Sequence, residues 1–427
     1  MSLAEQFLGL RLSRAGQPIT PVEKAQALEA ARAALSAFAP GAAVTVAATE
    51  PLGFAVSFFA ALDRGLAPVT AARGQALLSP SSLALSAPGS AYACLTSGST
   101  GEPKACVLTL DGAMANARAH ARSLRLGAEH TVLQTLSLAH SFGVVAALLT
   151  PLVTGCALDF NDALLSRRAL GRRTLSRVVL SLSPAQARWM LREGGAPIEG
   201  VEVLSVGAGL LTPEEWTALQ AVFPGAACFA TYGLTEAGPR VSTGRVSPGA
   251  PEGAGFIGVP LEGVDVAVLG DAREVAAAGT GRLLVRSPSL AHGLEPAQLH
   301  QGWLLTRDRV ELKADGRLYF LGRESDVIKV GGLTFFSSQL EAAARKVEGV
   351  VDCAVVIRSH VLANDRWTLL FAGSASEDQV WAGLRSQLEP AALPVQVRCV
   401  PRVERSALGK VERAWAEVAA GAEGTTP

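Results

Sequence analysis

The 427-residue chain has no net charge: 38 lysines and arginines balance 38 aspartates and glutamates. Without an overall basic field it has little to hold nucleic acid or an anionic bilayer, and neither is expected as a partner. Cysteine is scarce and scattered. Cys94, Cys106, Cys156, Cys228, Cys353 and Cys399 form no C-x-x-C pair and no zinc-like spacing, and they read as reduced thiols of a cytoplasmic protein. Residues 1–10 include Glu5 and lack a basic stretch followed by an apolar run, so no signal peptide is read there. Charged residues make up only 18% against 49% apolar, a balance that excludes a largely disordered chain. Internal repeats and charge blocks are missing, and low complexity is confined to the tail GAEGTTP.

Residues 131–158 contain no Asp, Glu, Lys or Arg, a run longer than the roughly 20 residues that span a bilayer. Gly143, Pro151 and Gly155 interrupt it, and its first part, TVLQTLSL, is rich in strand formers. The run therefore reads as a strand followed by a buried helix, and no membrane span is expected.

Strand-like runs followed by helical patterns recur: AVTVAA before GFAVSFFAALDRG, SRVVLSLS before PAQARWMLREGG, and VEVLSVGA before TPEEWTALQAVF. That alternation is the mark of parallel α/β layers. From about Gly258 the texture changes to short strands with glycine turns, which predicts a small, mostly antiparallel β subdomain. The last ~100 residues read as a separate α+β domain, within the usual domain size range.

The string from Tyr92 to Lys104, YACLTSGSTGEPK, carries the most chemistry. Glycines let consecutive backbone amides converge on a phosphate, hydroxyls add donors, and Lys104 adds a cation. No Gly-Lys-Ser/Thr closes it, so it is not a Walker A loop. A flexible turn would need neither the Pro-Lys ending nor one of only six lysines in the chain.

This string resembles the phosphate loop of the adenylate-forming superfamily, which includes acyl- and aryl-CoA synthetases, amino-acid adenylation domains and luciferases. Four further elements follow in the family's order: Thr231-Tyr-Gly-Leu-Thr-Glu236, Gly302-Trp-Leu-Leu-Thr-Arg-Asp308, Gly322-Arg-Glu-Ser-Asp-Val-Ile-Lys329 with Gly331-Gly332, and Ser406-Ala-Leu-Gly-Lys410. The resemblance covers about residues 42 to 415. It implies an N-terminal adenylate-forming domain over 1–322, a hinge at 323–327 and a mobile C-terminal lid over 328–427. The chain departs from the pattern in a shortened region before the phosphate loop, in Arg307 for glycine, and in Ser325 for the hinge aspartate.

The implied activity is AMP-forming acid:CoA ligation with ATP, Mg2+ and CoA. Thr96, Ser97, Gly98, Ser99, Thr100, Gly101 and Lys104 would hold the leaving phosphates. Glu236 would hold magnesium and Thr235 would bond the α-phosphate, although Thr-Glu would also cap a helix starting at Ala237. Tyr232 and Gly233 would lie by adenine; Asp308 would accept both ribose hydroxyls, while Arg323 would fix the ribose or α-phosphate region. Lys410 would bridge the attacking carboxylate and the α-phosphate. His140, in His140-Ser141-Phe142-Gly143, would gate entry of the acid, and Gly207, Ala208 and Gly209 would let backbone approach adenine and acyl group. Gly331 and Gly332 would line the pantetheine path. An acyl-carrier protein presents the same thiol as CoA and is the alternative acceptor; a catalytically silent nucleotide-binding protein is a second alternative. With no charge in residues 131–158, the expected acid is a monocarboxylic fatty or aromatic one.

Overall fold

The β-branched runs form parallel strands, each leading into a helix: Val178–Leu182 into Pro184–Glu193, and Val201–Val206 into Pro213–Val222. The last helix starts as its residues dictate. Thr212 Oγ1 accepts from the Glu215 amide, Glu215 accepts in return from the Thr212 amide, and Pro213 takes the first turn. The computed structural model describes all residues except 48–49, 72–90, 98–102, 162–164, 248–254, 331–332, 359–365, 406–410 and 422–427.

In it, Leu12–Arg14, Ala157–Phe160, Thr131–Leu133, Val178–Leu182, Val201–Val206 and Ala227–Tyr232 lie side by side in that order, all parallel. Beyond Ala227–Tyr232 the ladder becomes antiparallel through Ser242–Val246, Phe256–Pro260, Leu318–Arg323, Trp303–Leu312, Gly279–Arg286 and Asp265–Leu269. The expected antiparallel region thus begins earlier than residue 258. It also continues the edge of the parallel sheet, because Ser242 and Thr243 pair with Pro260 and Val259.

A second sheet holds Ala43–Ala47, Ala67–Ala71 and Ala91–Ser97 in parallel, with Pro103–Thr109 running back antiparallel to the last. Strands Ala91–Ser97 and Pro103–Thr109 thus form a hairpin whose root sets Thr96 opposite Lys104 and Ser97 opposite Pro103. Beneath it, Phe58 of helix Pro51–Asp63 packs edge-on against Tyr92, ring centroids 5.3 Å apart.

The charge-free segment forms strand Thr131–Leu133, helical turns Ser141–Gly143, Val144–Leu149 and Thr150–Thr154, and strand Ala157–Phe160. Val144, Val145, Leu148 and Leu149 are wholly buried; burying each such side chain contributes about 1.5–3 kcal/mol. That packing under helix Leu110–Ser123 accounts for the lack of charge. No helix among the described residues is long and apolar enough to cross a membrane. All six cysteines are free thiols, five of them buried.

The C-terminal part pairs Val327–Val330 with Leu333–Phe336 and builds a sheet from Val350–Arg358, Arg366–Gly373 and Gln396–Cys399. Helices Ser337–Arg345 and Glu377–Gln387 cover it around Leu340, Trp367, Phe371 and Leu384. It meets the main sheet at Leu318–Arg323, where Ser338 Oγ donates to the Leu321 carbonyl at 3.2 Å. The Phe336 ring lies so close over Gly322 that a Cβ at 322 would collide with it.

Candidate active site

Neighbouring parallel strands bring distant segments to one edge of the sheet. Gly207 follows Val201–Val206, Gly233 follows Ala227–Tyr232, and His140 to Gly143 come after Thr131–Leu133. Ligands of open α/β sheets bind outside such carboxyl ends. Packing requires a glycine at 207: a Cβ would come within 2.7 Å of Thr231 Cγ2 and 3.0 Å of the Phe142 ring. Ala208 is exposed and takes φ of 67°, a left-handed conformation that costs a residue with a side chain about 1–3 kcal/mol. Gly209 sits over Pro184. The 207–209 stretch thus presents backbone with almost no side chain.

Thr235 and Glu236 lie in the single turn Thr235–Ala237, which no side chain caps and which does not continue as a helix. Capping is therefore not their task. Thr235 Oγ1 lies 3.0 Å from Ser141 Oγ, which joins this turn to the segment that His140 opens. His140 itself is half-buried immediately before helix Ser141–Gly143. The turn packs against Pro103–Thr109, the returning strand of the hairpin. Burial, then the negative charge of Glu236 in that turn, pushes the Cys106 thiol of the strand up. Among the described residues no group of three or more His, Cys, Asp or Glu could hold a metal ion. Glu236 alone suits magnesium, which takes one or two carboxylates and fills its shell with water and phosphate oxygens.

Asp308 lies within strand Trp303–Leu312, 5% exposed, directly opposite Arg323 in the ladder. Its Oδ2 accepts from the Tyr232 hydroxyl at 2.6 Å, its Oδ1 from Arg323 Nε at 3.1 Å, and its amide donates to Thr306 Oγ1 at 3.1 Å. Burial, then the Asp308 charge and the hydrogen bond to it, hold the Tyr232 hydroxyl well above the ordinary tyrosine range. Burial works against the Arg323 charge, but Asp308, Asp326 and Tyr232 outweigh it and push that pKa up. Each carboxylate oxygen keeps a second lone pair. The set fits a diol ligand such as ribose, which donates two hydroxyls to one carboxylate.

Three participants escaped the sequence reading. Ser141 bonds Thr235, the Tyr232 hydroxyl bonds Asp308, and Arg240 stacks on Phe142 with its guanidinium carbon 3.4 Å from the ring centroid. The one available signal was an arginine among small and apolar residues in AGPRVST. Gly98, Ser99, Thr100, Gly101, Gly331, Gly332 and Lys410 lie outside the described residues, and Thr96, Ser97 and Lys104 are placed by backbone register alone.

Residues 14–294 match the family model described as AMP-binding enzyme. A sulfoacetate–CoA ligase of Cupriavidus necator is 28% identical over 340 residues, covering 74% of this chain and 65% of that protein. A probable non-canonical nonribosomal peptide synthetase of Salinispora arenicola is 30% identical over 350 residues, 76% of this chain and 4% of that protein. The matches thus span less than two thirds of either relative. The fold superposes on the O-succinylbenzoate coenzyme A synthetase of Bacillus subtilis, solved in complex with ATP and magnesium ion, at a TM-score of 0.80 and 18% identity. That superposition covers 96% of this chain and 98% of that one.

Proposed function

The chain belongs to the AMP-binding enzyme family, and from that premise we propose that it is an AMP-forming acid:thiol ligase. It would activate a carboxylic acid as the acyl-adenylate and pass the acyl group to the thiol of CoA. The observation that carries this reading is the contact of the Thr235–Glu236 turn with the returning strand Pro103–Thr109, next along the chain to the Tyr232–Asp308–Arg323 cluster.

Bound ATP with Mg2+ supplies the activated phosphoanhydride. Glu236 would hold the metal beside the hairpin, and Thr235, oriented by Ser141, would donate to the α-phosphate. The amides of Gly98 to Gly101, the hydroxyls of Thr96, Ser97, Ser99 and Thr100, and the Lys104 ammonium would stabilise the charge that accumulates on the departing pyrophosphate. Asp308 would accept the ribose hydroxyls on the lone pairs that Tyr232 and Arg323 leave open. Lys410 would hold the acid carboxylate against the α-phosphate, so that two anions can meet. His140 would gate acid entry beside Gly207–Gly209. Gly331 and Gly332 would line the pantetheine arm once the lid, 328–427, turns about 323–327, where Ser325 gives the hinge a small side chain.

The ligase named among the relatives favours CoA, while the peptide synthetase favours a carrier-protein thiol as the alternative acceptor. Both carry the same arm. ATP and CoA as substrates make the cytoplasm the working compartment. The charge-free segment by itself pointed to a monocarboxylic acid, but in the fold Phe142 of that segment meets Arg240. Groups from elsewhere in the chain therefore also face that segment.

The test is pyrophosphate release over a panel of acids, followed by thioester detection with CoA and with a carrier protein. Acid-dependent pyrophosphate and AMP are expected. ATP binding with no acid-dependent pyrophosphate would leave the silent nucleotide-binding reading standing.

A further inference from the structure

Arg240 is 3% exposed, and its Nε and Nη2 are buried with no hydrogen-bond partner. No carboxylate among the described residues pairs with it, and burial alone holds its pKa well below the usual arginine range. A buried cation without an anion is costly, and a fold that retains one leaves a charge for a ligand to complete. The arginine is held deliberately. Asn116 of helix Leu110–Ser123 grips its backbone at both ends, Oδ1 accepting from the Arg240 amide at 3.1 Å and Nδ2 donating to its carbonyl at 2.8 Å. One turn further along that helix, His120 is 1% exposed with Nδ1 unpartnered; burial and then the Arg240 charge keep it neutral.

The guanidinium lies on Phe142, whose ring edge abuts Gly207 and whose neighbour Ser141 bonds Thr235. The cation is thus contiguous with the residues assigned to the acid. We propose that Arg240 is a specificity-determining residue: it pairs with a second oxyanion of the acid, a carboxylate or sulfonate at the end of the substrate remote from the carboxylate that is activated. The proposal rests on the ligase reading. Guanidinium matches such planar or tripodal oxyanions through paired N–H donors, and an acid lacking the group would leave those donors buried and unpaired.

The experiment measures kcat/KM for pyrophosphate release with matched acids: octanoate against octanedioate, benzoate against benzene-1,4-dicarboxylate, and propanoate against 3-sulfopropanoate. The wild-type enzyme should favour the dianion in at least one pair by on the order of 10²-fold, as expected when a built polar contact is unmet in the analogue. Arg240→Met should lose that preference, the dianion falling by on the order of 10²-fold while the monoanion changes by less than about threefold. Arg240→Lys should retain part of it. Arg240→Met removes an uncompensated buried charge, so its melting temperature should match or exceed that of the wild type. Calorimetry without ATP separates the two readings. If no acid releases pyrophosphate, the ligase reading fails, while binding of the dianions by wild type and not by Arg240→Met still upholds the arginine's role. Wild-type preference for the monoanion in every pair, or an equal loss for both members in Arg240→Met, overturns the proposal; equal loss would put Arg240 on the reacting carboxylate.

Discussion

Replacing Tyr232 with phenylalanine removes one hydroxyl and keeps the ring against Phe320, 6.4 Å away between centroids. The hydroxyl donates at 2.6 Å to a carboxylate oxygen of Asp308, which is 5% exposed. A hydrogen bond to a charged acceptor contributes about 1.5–3 kcal/mol, and burial keeps water from replacing it. Arg323 still bonds the other oxygen at 3.1 Å, so a loss of about 2 kcal/mol is expected for Tyr232→Phe in urea unfolding. A double-mutant cycle with Asp308→Asn should return a coupling energy of about 1–2 kcal/mol. The effect on nucleotide should be smaller. If ribose hydroxyls use the remaining lone pairs, Tyr232→Phe should change ATP affinity by less than about threefold, whereas Asp308→Ala should weaken it by about 10²-fold. The pH dependence has a definite sign. The folded pKa of Tyr232 is raised, so its contribution is complete below the ordinary tyrosine value of about 10 and is lost as pH climbs toward the raised value. The stability gap between wild type and Tyr232→Phe should therefore be constant below about pH 10 and close above it. A zero coupling energy, or a gap that widens at alkaline pH, would refute the reasoning.

Lys410→Ala should lower adenylate formation by about 10²-fold or more yet spare thioester formation from a supplied acyl-adenylate, measured by separate half-reaction assays. In Gly207→Ala the new Cβ meets Thr231 Cγ2 at 2.7 Å and Phe142 at 3.0 Å; it should cost about 1–3 kcal/mol in urea unfolding and raise KM for the acid. Burial pushes the thiols of Cys94 and Cys353 up to about 12 and that of Cys228 to about 11. Unfolded thiols ionise near 8.5, so each should lower stability by up to about 1.4 kcal/mol per pH unit as pH rises from about 9 toward those values. Cys94→Ala should flatten the alkaline limb of a melting-temperature profile.

The sequence by itself determined what is encoded by neighbours along the chain. The strand-helix units are legible because β-branched runs and a Thr-Pro-Glu-Glu start act within a few residues, and Thr212 and Glu215 cap each other as their spacing requires. The phosphate string and the Thr235-Glu236 and Asp308 elements are each contiguous, so a chemistry could be proposed for them before any fold was known. Tertiary structure alone decided which atoms meet. Tyr232 and Asp308 are 76 residues apart, and Ser141 and Thr235 are 94 apart. Their bonds exist because strand order and register bring these ends together, and no local pattern states that order. The same holds for Arg240. The charge-free segment around Phe142 says nothing of a cation, which arrives from the turn after a different strand and stays buried because the fold packs it there. Local periodicity can tell a strand from a helix, but the partner of a buried charge depends on which surfaces the packed layers press together.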